Sequence, residues 1–269
     1  MFKKRYSFWN LISLATISLL VGCSTYSASM HVWPEPLSQG IVSVPNIPAD
    51  FVYLQDIDSS IIQSSRYNSN NNFMGRQVVG YPRGKIVAAR QAAVQLKEVN
   101  KILTEKGYNL VVYDAYRPQR SVDEFLKWSQ DPSGQKAKAF YYPTVDKANV
   151  FELGYIAKKS GHSRGSTFDL TIIKSGDKVH EIRPVVRKLL NGDEIVFLDD
   201  GTVDMGSSFD LFHEVSHYGT TLISVEHQEY RKLLSEAMQA CLFRPYEKEW
   251  WHYIMVKEPY PDTYFDFVV

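Results

Sequence analysis

Two short blocks about eighty residues apart hold the side chains best able to do chemistry in this chain. The first reads Ser160-Gly-His162-Ser-Arg-Gly165-Ser-Thr-Phe-Asp169 and the second Glu249-Trp-Trp-His252. Together they supply two imidazoles and two carboxylates. A catalytic zinc site needs that inventory: three protein ligands, an open position for water, and a carboxylate left over as a base. On this reading the chain is a hydrolase. A single His in an apolar segment is ordinarily a hydrogen-bonded core residue, so the weight rests on the two blocks jointly. Asp169 follows His162 by seven residues, with Gly165 between. A strand beginning near Thr167 would hold Asp169 while a turn at the glycine brings His162 back beside it. Along an extended strand, Glu249 and His252 would point to opposite faces, so a bend or twist must bring them together.

Two further groups compete for attention. Arg117, in Tyr113-Asp-Ala-Tyr116-Arg117-Pro118, sits at the end of an expected strand, a rigid place from which to aim a guanidinium. Most arginines end in surface ion pairs; placed beside a zinc ion, this one would stabilise an oxyanion. His213-Glu214-Val215-Ser216-His217 matches H-E-x-x-H, which on a helix sets two metal ligands on one face. The turn-rich run Asp204 to Asp210 before it and Gly219 after it leave little room for such a helix, so the match is read as accidental.

The elements that must position these groups follow from hydrophobic period. Residues 83–106 read as a helix with Val87, Val94, Leu96, Val99, Ile102 and Leu103 on its apolar face and Gly107 as the stop. Asn109 to Tyr113 reads as a buried strand, and a helix follows from about Ser121 to Gln130. Thr167 to Ile173 is β-rich. Ile195 to Leu198, Asp199-Asp200-Gly201 and Val203 suggest a hairpin. Residues 226–242 read as a helix and 250–256 as a last strand. Helices mixed with short strands predict an α+β domain over residues 51–269, a small mixed or antiparallel sheet flanked by helices. Cys241 falls in the helical period and reads as a small core residue.

The chain has 269 residues, enough for one substantial core. Thirty basic and thirty acidic residues cancel, and no basic run lies in the folded part, so nothing points to nucleic acid. Residues 1–22 read as a signal peptide: Lys3, Lys4 and Arg5, then an apolar stretch from Phe8 to Val21 that is short for a membrane span. Leu20-Val21-Gly22-Cys23 resembles the bacterial lipobox, which implies cleavage before Cys23 and lipid on its thiol. Residues 23–50, rich in Ser, Thr and Pro, then read as the lipidated N-terminus and tether. The expected location is the bacterial cell envelope, anchored to a membrane and facing the periplasm if the cell is Gram-negative. No protein partner is implied.

From about Tyr67 to the C-terminus the chain resembles the zinc D-alanyl-D-alanine dipeptidases, the type linked to vancomycin resistance, within the wider D-Ala-D-Ala peptidases. The resemblance rests on six blocks in order: Tyr113-Asp-Ala-Tyr-Arg-Pro; Ser160-x-His-Ser-Arg-Gly-Ser-x-x-Asp-Leu-Thr; Met205-Gly-Ser-x-Phe-Asp210; Ser216-His217; Glu249-Trp-Trp-His-Tyr; and Glu258-Pro-Tyr-Pro-x-x-Tyr-Phe-Asp-Phe. It implies that His162, Asp169 and His252 bind one zinc ion, that Glu249 is the general base, and that Arg117 stabilises the tetrahedral intermediate. It further implies that Ser160 contacts the substrate carboxylate and that Tyr67, Tyr81 and Asp210 lie near its amino end. An anionic Asp210 facing a free ammonium would demand a dipeptide, since an acylated amine carries no charge. The chain departs from the pattern by an insertion of about twenty residues near Gly176 to Asp200, expected to reshape the pocket mouth, and by its lipobox. Two alternatives stay open: a D,D-carboxypeptidase or endopeptidase acting on peptidoglycan peptides, and an envelope lipoprotein that binds wall peptides without cleaving them.

Overall fold

The structure is a computed structural model describing residues 47–269. Signal peptide, Cys23 and all but the last four residues of the expected tether lie outside the described residues. The elements in chain order are β1 (Phe51–Tyr53), α1 (Leu54–Ile57), β2 (Ile62–Gln63), β3 (Val87–Ala89), α2 (Arg90–Glu105), β4 (Tyr108–Asp114), α3 (Gln119–Gln130), α4 (Lys138–Tyr141), β5 (Thr167–Lys174), β6 (Arg183–Lys188), β7 (Glu194–Asp199), α5 (Val225–Ala240), β8 (Phe243–Tyr246) and β9 (Glu249–Met255). The expected α+β class holds.

The centre is a five-stranded sheet in the order β2-β4-β5-β9-β8. It is mixed: β2 runs parallel to β4, and the other pairs are antiparallel. Strands β4 and β5 carry the longest apolar runs and are buried almost end to end, which is what central strands covered on both faces require. Helix α2 lies against β4 and α5 against β8, and the two helices touch. Ala92, Ala93, Leu96, Val99 and Leu103 form the buried stripe of α2. Gly107 ends it in the left-handed region, φ +84°. On α5, Ser224 caps the first turn by accepting from the His227 amide.

Three local readings move. The helix expected from residue 83 starts at Arg90, because Val87–Ala89 is strand β3, paired with β1. The hairpin expected about Asp199-Asp200-Gly201 does not form: residues 195–198 pair instead with the strand before them, β6, and the Val203 amide donates to the Ile172 carbonyl. The β6–β7 hairpin turns around Asn191-Gly192, with Gly192 at φ +95°. Residues 47–50 are already part of the fold: Ile47 packs with Phe51, and Asp50 accepts from the Arg90 amide and the Tyr260 hydroxyl. Cys241 is a buried free thiol, and burial pushes its pKa up to about 11, in keeping with a core residue. No helix among the described residues is long and apolar enough to cross a membrane.

The turn that carries His162 is locked from behind. Gly165 adopts φ +83°, and a side chain there would run into the Phe51 ring. The Gly165 carbonyl accepts from the Ala89 amide at 2.8 Å. Gly165→Ala therefore meets both backbone strain and overpacking. It should lower stability by about 2–4 kcal/mol, read as a fall in unfolding midpoint in denaturant, whereas Gly176→Ala, open on all sides, should show only the strain.

Candidate active site

Two sheet irregularities assemble the site. Between Val112 and Asp114 the β4–β5 register slips at a bulge, which sets Asp114 opposite Asp169. Asp169 is in turn the direct partner of His252 across β5 and β9. Asp114, Asp169 and His252 thus form a row across the three middle strands. On the other side of β9 the pairing jumps from Pro245↔Tyr253 to Tyr246↔Glu249, passing over Trp250, Trp251 and His252. This is the bend that the Glu-x-x-His spacing needed, and it brings Glu249 Oε2 to 3.4 Å from His252 Nδ1.

His162 arrives on a 3₁₀ turn, Gly161–Arg164, whose first amide bonds are capped by Ser160. Its Nδ1–H donates to the Ala115 carbonyl at 2.7 Å. A carbonyl can only accept, so this contact leaves the lone pair on Nε2, which points at Asp169 Oδ2 (3.2 Å) and His252 Nδ1 (3.3 Å). His252 Nδ1 lies 3.0 Å from Asp169 Oδ1. One donor atom from each of His162, Asp169 and His252 falls within 4.8 Å of the others. Among the described residues, only this group has the composition and closeness to hold a metal ion.

The electrostatics fit a cation. Asp114, Asp169, Asp210 and Glu249 are all buried, and the guanidinium among them is that of Arg117. Arg117 donates from Nε to Asp114 (2.9 Å) and from Nη2 to Asp169 (3.1 Å), and lies over the rings of Tyr67 and Phe125. Burial pushes the Glu249 carboxyl well above its ordinary range, with Asp169 and Asp210 adding and Arg117 opposing. Asp210 moves the same way, through burial and Asp169, against Arg117 and the Tyr67 hydroxyl. Asp169 goes the other way: burial works against its charge, but His162 and His252 outweigh it. Burial lowers the pKa of His162, which favours the neutral, ligating imidazole. A divalent ion between the two imidazoles and Asp169 would offset the surplus of negative charge.

The group opens on a cleft of about 250 Å³, lined among others by Tyr67, Arg117, Tyr155, Ser160, Asp210, Phe212 and Tyr246 together with His162, Asp169, His252 and Glu249. Asp210 is the one site residue with strained backbone, φ +61°. Such a conformation costs on the order of 1–3 kcal/mol and needs surroundings that enforce it. Tyr67 supplies a 2.9 Å hydrogen bond to its carboxylate. Arg231, buried and with no carboxylate at ion-pair distance among the described residues, donates to the carbonyls of Met205, Val215 and His217 on both sides of Asp210.

Tyr81 is not brought to the cleft. It stands behind the site and donates to Asp114 at 2.8 Å, so its position supports Arg117 rather than touching a substrate. The insertion also falls elsewhere: no residue of 176–200 lines the cleft. Its hairpin packs Leu189 and Ile195 against Leu211, Val215 and Ile223, and Asp200 pairs with buried Arg66 and Tyr113. The expected effect on the pocket mouth is therefore corrected; hydrophobic burial fastens the hairpin to a different side of the Asp210 loop. His213 and His217 flank a single 3₁₀ turn, Glu214–Ser216, where His213 Nδ1 accepts from the Val215 amide, and they form no ligand pair. Sequence reasoning assigned no role to Asp114, Tyr155, Phe212 or Tyr246. Asp114 had a signal, three residues before Arg117, but its place opposite Asp169 depends on the bulge.

A family profile described as D-ala-D-ala dipeptidase matches residues 48–180 and 194–269. The chain belongs to this family. The stretch it leaves out, 181–193, holds β6 and the turn of the hairpin, while β7 falls in the matched part. D-alanyl-D-alanine dipeptidases from Streptomyces coelicolor and Enterococcus faecium are 36 % and 35 % identical over 220 residues, about four-fifths of this chain and 98 % of each relative. One from Escherichia coli is 26 % identical over 188 residues, 70 % of this chain and 75 % of that protein. As a family member the chain is a metallopeptidase, and the expected relationship is borne out.

The charge surplus has a consequence for the metal-free protein. Glu249 binds a proton more tightly when folded than when unfolded, so its contribution to stability falls as pH rises above its ordinary value of 4.5. The stability gained by Glu249→Gln over the wild type, both stripped of metal, should therefore grow between about pH 5 and pH 7.5 in denaturant titrations. A pH-independent difference would contradict the assigned electrostatics.

Proposed function

We propose that the protein is a zinc-dependent D-alanyl-D-alanine dipeptidase that splits D-Ala-D-Ala into two D-alanines during cell-wall dipeptide turnover. The observation that carries the proposal is one cleft holding the His162–Asp169–His252 group, with Glu249 beside it and Asp210 in the same wall system. His162, Asp169 and His252 would hold the zinc ion. Zinc bound there supplies a Lewis acid that polarises the scissile carbonyl and lowers the pKa of water toward about 7. Glu249 takes the proton of the attacking water on Oε2 and delivers it to the leaving amine; a carboxyl of raised basicity suits both transfers. Arg117, held by Asp114 and stacked on Tyr67, presents a fixed positive charge to the oxygen that becomes negative. Asp210 and the Tyr67 hydroxyl receive the substrate ammonium, and Ser160 faces its carboxylate.

The same reading makes the enzyme an exported lipoprotein, anchored through Cys23 with its domain in the cell envelope. It rests on the basic n-region, the apolar stretch and Leu20-Val21-Gly22-Cys23. There the enzyme meets dipeptides released from the wall rather than cytoplasmic precursors.

Glu249→Ala should retain one zinc per chain by elemental analysis while losing roughly 10²–10⁴-fold in kcat. Wild-type turnover in this variant would remove Glu249 from the mechanism. Substrate class is settled by following D-alanine release from D-Ala-D-Ala and from its N-acetyl form in parallel. The buried Asp210 predicts cleavage of the free dipeptide and little of the acetylated one. Equal cleavage of both would favour a wall-peptide carboxypeptidase, and cleavage of neither by zinc-loaded protein would favour a binding protein.

A further inference from the structure

The cleft carries three carboxyl groups and little free positive charge. Asp169, Asp210 and Glu249 line it, as do three cations: Arg117, Arg164 and Lys159. Arg117 is already divided between Asp114 and Asp169. Arg164 grips Glu258 with two nitrogens, at 2.8 and 2.6 Å, and donates to the Tyr264 hydroxyl. Lys159 has no carboxylate within ion-pair distance among the described residues. It is exposed at the cleft and its ammonium sits 4.7 Å from the centre of the Tyr264 ring.

A substrate carboxylate entering this cleft needs a positive charge that is not already paired. Ser160 offers a hydroxyl that carries no charge and whose oxygen already accepts the His162 amide. Lys159 is its chain neighbour. The Tyr264 face restrains the ammonium without neutralising it, so the charge stays available at the rim. Asp210 belongs to a different wall, against Tyr67, so cation and anion can address the two ends of a zwitterion.

We propose that Lys159 binds the substrate's C-terminal carboxylate and makes the enzyme select free acids over C-terminally amidated or esterified dipeptides. This rests on the dipeptidase reading above and names a specificity residue for it. An exposed charge is screened by salt, so the preference for the acid falls as ionic strength rises.

The test compares D-Ala-D-Ala with D-Ala-D-Ala amide on the zinc-loaded wild type, Lys159→Met and Lys159→Arg. Lys159→Met should raise KM for the acid about tenfold, the size of one charge-assisted contact at a partly solvated site, with kcat little changed. KM for the amide should stay put, and Lys159→Arg should restore the acid preference. Added salt should raise the wild-type KM for the acid and leave that of Lys159→Met nearly flat. If the wild type cleaves the acid but Lys159→Met keeps the wild-type ratio of acid to amide, the role of Lys159 is overturned and the dipeptidase reading stands. If the wild type cleaves no dipeptide, both fall.

Discussion

The structure depends on one electrostatic constraint: four carboxyl groups, those of Asp114, Asp169, Asp210 and Glu249, are buried around the guanidinium of Arg117. Burying an unpaired carboxylate is costly, and burial of several together is more so. Arg117 meets part of that cost by bridging Asp114 and Asp169. The remainder leaves a site whose donors converge on a position suited to a divalent cation. Burial, reinforced by Asp169 and Asp210, raises the basicity of Glu249, which suits the proton transfer proposed for it.

Holding such an arrangement takes support from outside the sheet. The C-terminal segment acts as a strap: the Phe265 amide donates to the Ser163 carbonyl and the Phe265 carbonyl accepts from the Gln119 amide. Glu258 ties down Arg164 and Ser166 on either side of Gly165. Phe51, Tyr116, Phe265 and Phe267 pack into one aromatic cluster beneath the turn. On the far side Arg231 gathers the carbonyls around the Asp210 loop, and burial lowers its pKa to about 9 against the opposing effect of Asp204. A buried cation satisfied only by carbonyls and a hydroxyl is a fixed scaffold, since moving any one acceptor leaves charge unsolvated. The inserted hairpin adds to this periphery through Asp200 and Leu189 and leaves the cleft alone.

Much of this was legible in the chain. Helices α2, α3 and α5 and strands β4, β5 and β9 follow from apolar period and glycine stops, because each buries one continuous stripe or run. The boundaries slipped where pairing overrode period, as at Val87–Ala89, whose small apolar residues suit helix and strand alike until β1 claims them. The hairpin turn was misplaced because Asp199-Asp200-Gly201 has turn composition, yet Asp200 is committed to Arg66 and Tyr113, partners far away in sequence.

The amino-acid sequence by itself determined the chemistry available: two imidazoles and two carboxylates in two blocks, an arginine at a strand end, and glycines where the backbone must turn left-handed. Tertiary structure decided which of them meet. Alternation along a strand sends Glu249 and His252 to opposite faces, and only the slipped register against β8 folds them onto one centre. The bulge at Tyr113 does the same for Asp114 and Asp169, while Tyr81, equally aromatic and equally buried as Tyr67, ends behind the site because its hydroxyl reaches Asp114 instead of the cleft. Residue type sets what a side chain can bond. Strand register and packing set what it can reach, and those depend on contacts between segments that no local pattern encodes.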